Sequence, residues 1–150
     1  MYDSTQDTND HINNVQARIG ELMTELMRRG AWHDMSKLRE PEKSGYDVLG
    51  ELIQGVKYGT PEYAAVMNDP RVKPAIDHHV TTNRHHPQAH ASIADMTLLD
   101  ISELLCDIKA ASERASGMPL REILAGYCEY WGFSEQLTSI LENTVRELGW

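Results

Sequence analysis

Two short stretches of this chain hold most of the residues that could do chemistry. The first is His33-Asp34-Met35-Ser36-Lys37, in which an adjacent imidazole and carboxylate are followed by a lysine. The second is the stretch 78–90, which contains five of the seven histidines in the chain. Imidazole and carboxylate groups together are typical ligands of zinc, iron, nickel and manganese. We therefore predict a metal site in which the two stretches meet.

A further set of carboxylates lies later in the chain. Asp100, Glu103 and Asp107 are spaced i, i+3, i+7, which places all three side chains on one face of a helix. Since a buried carboxylate has to be paired or bound to a metal ion, this face is a candidate part of the site. The alternative is a face that is exposed to solvent or paired with arginine or lysine from a neighbouring element.

The elements that must position these groups are all predicted to be helices. Apolar residues recur at helical spacing and no stretch alternates as a strand would, so we predict an all-α bundle of about six to seven helices. Residues 1–7 are predicted to be a flexible tail and residues 8–150 a single helical domain. Capping, proline and glycine signals predict helices that begin near Thr8 or Asn9, Pro41, Thr60, Asp69, Ser92 or Asp95, Pro119 and Ser134.

The first and the central helix are predicted in more detail. The first should end at Gly30 and bury an apolar stripe that includes Val15 and Ile19, with His11 one turn before Val15 on the same stripe. The central helix should extend to Ser116 and be closed by Gly117, with apolar side chains over most of its circumference.

Composition limits the class of partner. The chain has 150 residues and a formal net charge of −9, which argues against binding to the nucleic-acid backbone because such binding needs a basic surface. No apolar run is long enough to span a bilayer and the polar N-terminal residues are not a secretory signal, so we expect a cytoplasmic protein. Cys106 and Cys128 fall in apolar helical patterns and are predicted to be buried thiols.

The order His11, His33-Asp34 and Asp107 on an all-helical chain resembles the HD superfamily of metal-dependent phosphohydrolases. The resemblance implies an HD-like helical bundle in which these four residues bind one divalent transition metal ion, such as Mn, Fe, Co, Ni or Zn. The segment 106–111 is similar to the late aspartate element of that superfamily, which favours Asp107 over Asp100 as the ligand. Further candidate ligands are His79 and Asp100.

The segment from His33 to Lys37 looks like the His-Asp-x-x-Lys variant of cyclic-dinucleotide phosphodiesterases and of inositol-oxygenase-like members. The chain is also similar to a poorly characterised family of short HD-like proteins from bacteria and phages; a phage-encoded protein would act in the host cytoplasm. The segments that carry this second likeness are 33–37, 58–63, 83–87 and 95–111.

One departure from the variant bears on the number of metal ions. The segment 38–77 contains no histidine, whereas dinuclear members place one between the His-Asp pair and the later histidines. We therefore favour one metal ion over two. A second ion would need a substitute ligand from His85, His86, Glu40 or Glu42.

The resemblance implies that a metal-activated water hydrolyses a phosphomonoester or phosphodiester. The substrate would be a nucleotide or a related small phosphate ester. Lys37 and Arg84 would neutralise charge on the phosphate, while Glu103 would orient a ligand and His79 would donate a proton or bind a second metal ion. The residues expected to contact substrate are Lys37, Asn83, Arg84, His85 and His86. The alternatives are a non-catalytic nucleotide-binding or interaction module and an iron-dependent oxygenase of the HD type.

The oligomeric state is predicted to be a monomer or a homodimer. The last two predicted helices carry much of the aromatic content, including Tyr127, Tyr130, Trp131 and Phe133. We expect these helices to pack as core against the first helices of the chain; the alternative is that they form a dimer surface.

Overall fold

A computed structural model describes residues 2–57, 59–114 and 119–150. Within these ranges the chain forms α-helices and short 3-10 helices but no strand, which confirms the all-α prediction. The α-helices are α1 (Thr5–Trp32), α2 (Glu42–Leu52), α3 (Pro61–Met67), α4 (Lys73–Thr82), α5 (Leu98–Arg114), α6 (Leu120–Trp131) and α7 (Glu135–Glu147). The 3-10 helices are Met35–Leu38, Pro87–Ala89 and Ile93–Asp95. The predicted helix end at Ser116 and Gly117, and Tyr58 of the segment 58–63, lie outside the described residues.

By its internal contacts the chain divides into two compact units, Met1–His33 and Asp34–Trp150. The first unit contains the single helix α1, which includes residues 5–7 of the predicted tail and continues past Gly30. A glycine inside a helix costs only about 1 kcal/mol relative to alanine, so Gly30 alone does not end the helix. The prediction of a buried stripe was wrong: no side chain of α1 is buried, because the unit has no second element to cover it.

The second unit has its apolar core between α5, α6 and α7. The predicted periodicity of the central helix holds, since Ile101, Leu104, Leu105 and Ile108 are all buried. They pack with Leu120, Leu124, Cys128, Leu141 and Val145. The C-terminal helices thus form core as expected, but with α5 as their partner. Cys106 is exposed, contrary to the prediction. None of the described helices is both long and apolar enough to cross a membrane.

Helices α2 and α4 lie in unusually close contact, and this contact positions the site. A Cβ atom added to Gly45 of α2 would lie 2.4 Å from the Cβ of Ala75 in α4, so only glycine permits this approach. Glu42 lies one turn before Gly45, and His78 and His79 lie one turn after Ala75. The small residues therefore bring a carboxylate and two imidazoles together.

The two glycines of α2 offer a matched test of this packing. Gly45→Ala should lower the free energy of unfolding by about 1–3 kcal/mol, since the added methyl group forces α2 and α4 apart. Gly50→Ala adds the same methyl group where nothing lies within 4 Å, and should raise stability by about 0.5–1 kcal/mol through helix propensity. Urea denaturation measures both. Similar effects of the two substitutions would contradict the close approach.

Candidate metal centre

The turn that carries Asp34 has an unusual backbone. Asp34 has φ 59°, the left-handed conformation, and it starts the 3-10 helix Met35–Leu38. It is the one non-glycine residue with positive φ among those described. Aspartate and asparagine tolerate this region better than other side chains. Such backbone outliers concentrate at functional sites, where the surrounding structure holds them.

Three histidines of the stretch 78–90 converge beside Asp34. A ring nitrogen from each of His79, His85 and His86 lies within 4.8 Å of the other two. The Oδ1 atom of Asp34 lies 3.2 Å from Nε2 of His79 and 3.7 Å from Nε2 of His85. His79 and His85 are buried, with exposed fractions of 1% and 2%. We refer to Asp34, His79, His85 and His86 as the histidine cluster.

The donor set and its spacing fit a metal ion. Two ligands of a four-coordinate ion with bonds of about 2.0–2.1 Å lie about 3.4 Å apart, and the two distances from Asp34 bracket that value. Within the described part of the chain, the Nε2 atoms of His79 and His86 are buried and have no hydrogen-bond partner. Buried polar atoms are normally satisfied, so these two nitrogens are candidate ligands for a cation.

Glu42 fixes the orientation of His79. Its carboxylate is completely buried and accepts a hydrogen bond from Ser36 Oγ at 2.8 Å. Its Oε2 lies 3.0 Å from Nδ1 of His79, and its Oε1 lies 2.8 Å from Nδ1 of His78. A carboxylate only accepts hydrogen bonds, so Nδ1 of His79 carries a proton, and in the neutral ring Nε2 carries the lone pair. That lone pair faces Asp34 Oδ1, another acceptor, and a cation between them would relieve the repulsion.

The pKa values of two groups in the site are shifted by their surroundings. Burial raises the pKa of Glu42, but hydrogen bonds from His78, Ser36 and His79 more than offset it, and the pKa is lowered overall. Burial, assisted by the nearby His85 and His79, lowers the pKa of His86 to about 3. His86 is therefore neutral at pH 7, as a metal ligand must be.

The carboxylate face of α5 reaches the same cluster. Glu103 Oε1 lies 3.4 Å from Nδ1 of His85. A carboxylate oxygen thus lies near Nδ1 of His85, as one of Glu42 does near Nδ1 of His79. An oxygen of Asp107 and a nitrogen of His85 lie within 4.8 Å of each other. Carboxylates behind a histidine fix its tautomer and raise its basicity as a ligand. Glu103 thus lies beside a histidine that is itself a candidate ligand, and its predicted orienting role stays a prediction.

Asp100, the third residue of that face, has a structural set of contacts. It is completely buried and accepts hydrogen bonds from the backbone N and Oγ1 of Thr97, both at 2.8 Å. Thr97 Oγ1 accepts in return from the Asp100 backbone N. This reciprocal pair is a capping box and explains why α5 begins at Leu98 rather than at Ser92 or Asp95. These contacts favour a capping role for Asp100 over the predicted extra-ligand role.

Arg84 is joined to the same carboxylate. Its Nε and Nη2 donate to the two oxygens of Asp100 at 3.2 and 2.9 Å. This bidentate pair with a buried carboxylate fixes the guanidinium and offsets its charge. The predicted contact of Arg84 with a substrate phosphate therefore has to compete with Asp100. The loop is further held by His90, whose Nε2 donates to the Arg84 carbonyl at 2.7 Å.

Lys37 is a cation that adjoins the histidine cluster directly. Its Nζ donates to Oδ2 of Asp34 at 2.5 Å and lies 4.9 Å from the centre of the Tyr46 ring. The Lys37 side chain is 31% exposed, so it connects the cluster to solvent. Burial, and the nearby carboxylates Glu42, Asp34 and Asp107, raise the pKa of Tyr46, which keeps its hydroxyl protonated.

Asn83 lies behind the cluster. Its Nδ2 donates to the His79 carbonyl at 2.9 Å and to Ser36 Oγ at 3.1 Å. These bonds end α4 and connect it to the 3-10 helix after Asp34. They give Asn83 a structural position, whereas the sequence placed it among the substrate-binding residues.

The structure thus regroups the residues predicted from the sequence. His85 and His86, predicted to bind substrate, lie with His79 and Asp34 as candidate ligands. His11 and His33 belong to the first unit, and their role as ligands stays a prediction. Glu42 was considered only as a substitute ligand, and its role behind His79 was missed. The available signal was its place one turn before Gly45, a small residue typical of a helix–helix contact.

The model of a protein family matches residues 1–147 of the chain, and its description is a family of unknown function (DUF5662). No curated protein and no solved structure matches the chain.

Proposed function

This chain belongs to the DUF5662 family, and we propose that it is a metal-dependent phosphohydrolase acting on a nucleotide or related small phosphate ester. The observation that carries the proposal is the pair of buried, unsatisfied Nε2 atoms of His79 and His86 beside the Asp34 carboxylate and Lys37. This combination offers a site for a cation next to a site for an anion.

The residues that would hold the ion are Asp34, His79, His85 and His86, with Asp107 beside His85. They suit one ion of Mn, Fe, Co, Ni or Zn, and His11 and His33 remain proposed ligands from the family resemblance. Bound in such a site, a divalent ion supplies a Lewis acid and lowers the pKa of water. The phosphomonoesterase and phosphodiesterase reactions both use these two properties.

Lys37 supports a phosphate substrate over a neutral one. Its side chain is partly exposed, and its ammonium group lies at the edge of the histidine cluster, bonded to Asp34. A phosphate that approaches the cluster would meet this positive charge, which would stabilise negative charge on the transferring group. On a chain with a net charge of −9, such a local cation is needed for an anionic substrate to bind.

His86 is better suited to hold a cation than to transfer a proton. With a pKa of about 3, its ring is almost never protonated at neutral pH, so it has no proton to give to a leaving oxygen. His79, predicted to be a proton donor, is oriented by Glu42 with its lone pair toward the cluster. We therefore assign both histidines to metal binding.

The test is a screen for phosphate release with mono-, di-, tri- and cyclic nucleotides, after chelation and readdition of each divalent metal. We expect phosphate release only after a divalent metal is added back. The His79→Asn variant should release no phosphate, and it controls for contaminating phosphatases. Nucleotide binding without turnover under every metal would select the non-catalytic binding module instead. Iron with a visible absorption band and oxygen consumption would select the HD-type oxygenase.

A further inference from the structure

Helix α1 carries a regular apolar seam. Its 28 residues place Ile12, Val15, Ile19, Leu22 and Leu26 at alternating spacings of three and four. This is the a/d pattern by which one helix pairs with another in a coiled coil. Ile19 and Leu22 are 50% and 55% exposed, so no part of the first unit buries the centre of the seam.

Nothing within the first unit covers this seam, because the unit consists of one helix. An isolated helix gains little stability from propensity alone and depends on packing of its apolar face. The local ion pairs, such as Arg18 with Glu21 and Arg28 with Glu25, stabilise an exposed helix only slightly. A contiguous exposed apolar face of this kind marks an interaction surface.

The charges beside the seam favour a second copy of α1 as the partner, in the antiparallel orientation. In an antiparallel pair of α1 helices with Ile19 opposite Leu22 of the second copy, Arg18 of each copy faces Glu25 of the other. This gives two attractive pairs flanking the seam. In a parallel, in-register pair, Arg29 of both copies would meet within the seam, and like charges placed opposite each other are destabilising.

From this seam and its charges we propose that the chain forms a homodimer through an antiparallel pairing of helix α1 with α1 of a second copy. The apolar residues at the a and d positions supply the buried surface. The reciprocal Arg18 and Glu25 pairs select the antiparallel direction. The proposal does not depend on metal binding or on phosphate release.

Light scattering on the full chain across a concentration series tests the dimer. The wild type should be dimeric, and Ile19→Asp should raise the dimer dissociation constant ~100-fold, because it places a charge in the seam. Thr24→Asp, on the opposite, exposed face of the same helix, should leave the dimer unchanged. A wild-type monomer, or a dimer that survives Ile19→Asp, would overturn the proposal; a monomer would mean that this face packs elsewhere in the same chain.

Charge reversal tests the direction with substitutions at two ion-paired positions on the flank of the seam. Arg18→Glu and Glu25→Arg should each weaken the dimer about tenfold, and the double variant should recover most of the loss. In a parallel pair Arg18 faces Met23, so no recovery is expected. Absence of recovery would therefore refute the antiparallel arrangement, even if Ile19→Asp did not fold.

Discussion

Replacing His79 with asparagine is expected to abolish stoichiometric metal binding while leaving the helical content nearly unchanged. An asparagine amide nitrogen occupies the position of Nδ1 in histidine, so the variant retains a donor for the carboxylate of Glu42. It loses Nε2, the buried atom that lies 3.2 Å from Asp34 Oδ1. Removing one ligand from a compact site leaves the others unable to retain the ion. Elemental analysis and circular dichroism on the same sample measure the two quantities.

His90→Asn provides the matched control for this substitution. His90 lies in the same histidine-rich stretch, but its Nε2 donates to the Arg84 carbonyl rather than facing the cluster. We expect this variant to retain the metal of the wild type. Full metal content in His79→Asn would show that the ion is not held at the histidine cluster.

The parts of the fold that depend on local geometry could be predicted from the sequence. The spacing of Asp100, Glu103 and Asp107 predicted a shared face because a helix rotates by a fixed angle per residue, and the structure places them so. The start of α5 was also encoded locally, in the Thr97 to Asp100 capping box, but that signal was overlooked. As a result, the start of α5 was predicted three to six residues too early.

The partners of these residues could not be predicted in the same way. Arg84 and Asp100 are separated by a loop, and nothing in the sequence says that this arginine prefers a buried carboxylate to a substrate. Likewise, His85 and His86 are neighbours in the chain, and only the path of the loop after α4 turns both toward His79. Tertiary placement, rather than residue type, therefore separated candidate ligands from candidate substrate contacts.

The stripe of helix α1 shows a different limit. The spacing of Val15, Ile19 and Leu22 correctly indicated an amphipathic helix, but periodicity says only that a face is apolar, not what covers it. The prediction expected cover from the C-terminal helices of the same chain, which pack on α5 instead. An unpaired face of the same pattern is what a helix that pairs with a second chain would show.

Replacing Glu42 with glutamine is expected to weaken metal binding about 10–100-fold without removing a ligand. The wild-type carboxylate accepts from Ser36, His78 and His79 at once. Glutamine has the same shape but one acceptor oxygen and one donor amide, so it cannot satisfy all three. Where the amide faces His79, the ring shifts its proton from Nδ1 to Nε2 and the lone pair no longer points into the cluster.

Two measurements separate this effect from simple destabilisation. Competition with a chromophoric chelator gives the metal affinity of the folded protein, and nitrogen NMR shifts of the metal-free protein report which nitrogen of His79 is protonated. Glu40→Gln is the control, since Glu40 is exposed and bonds Ser44 on the surface of α2; both its affinity and its His79 tautomer should match the wild type. Because the tautomer depends on hydrogen bonding to the ring and not on global stability, an unchanged His79 signal in Glu42→Gln would refute the orienting role of Glu42 even if the affinity fell.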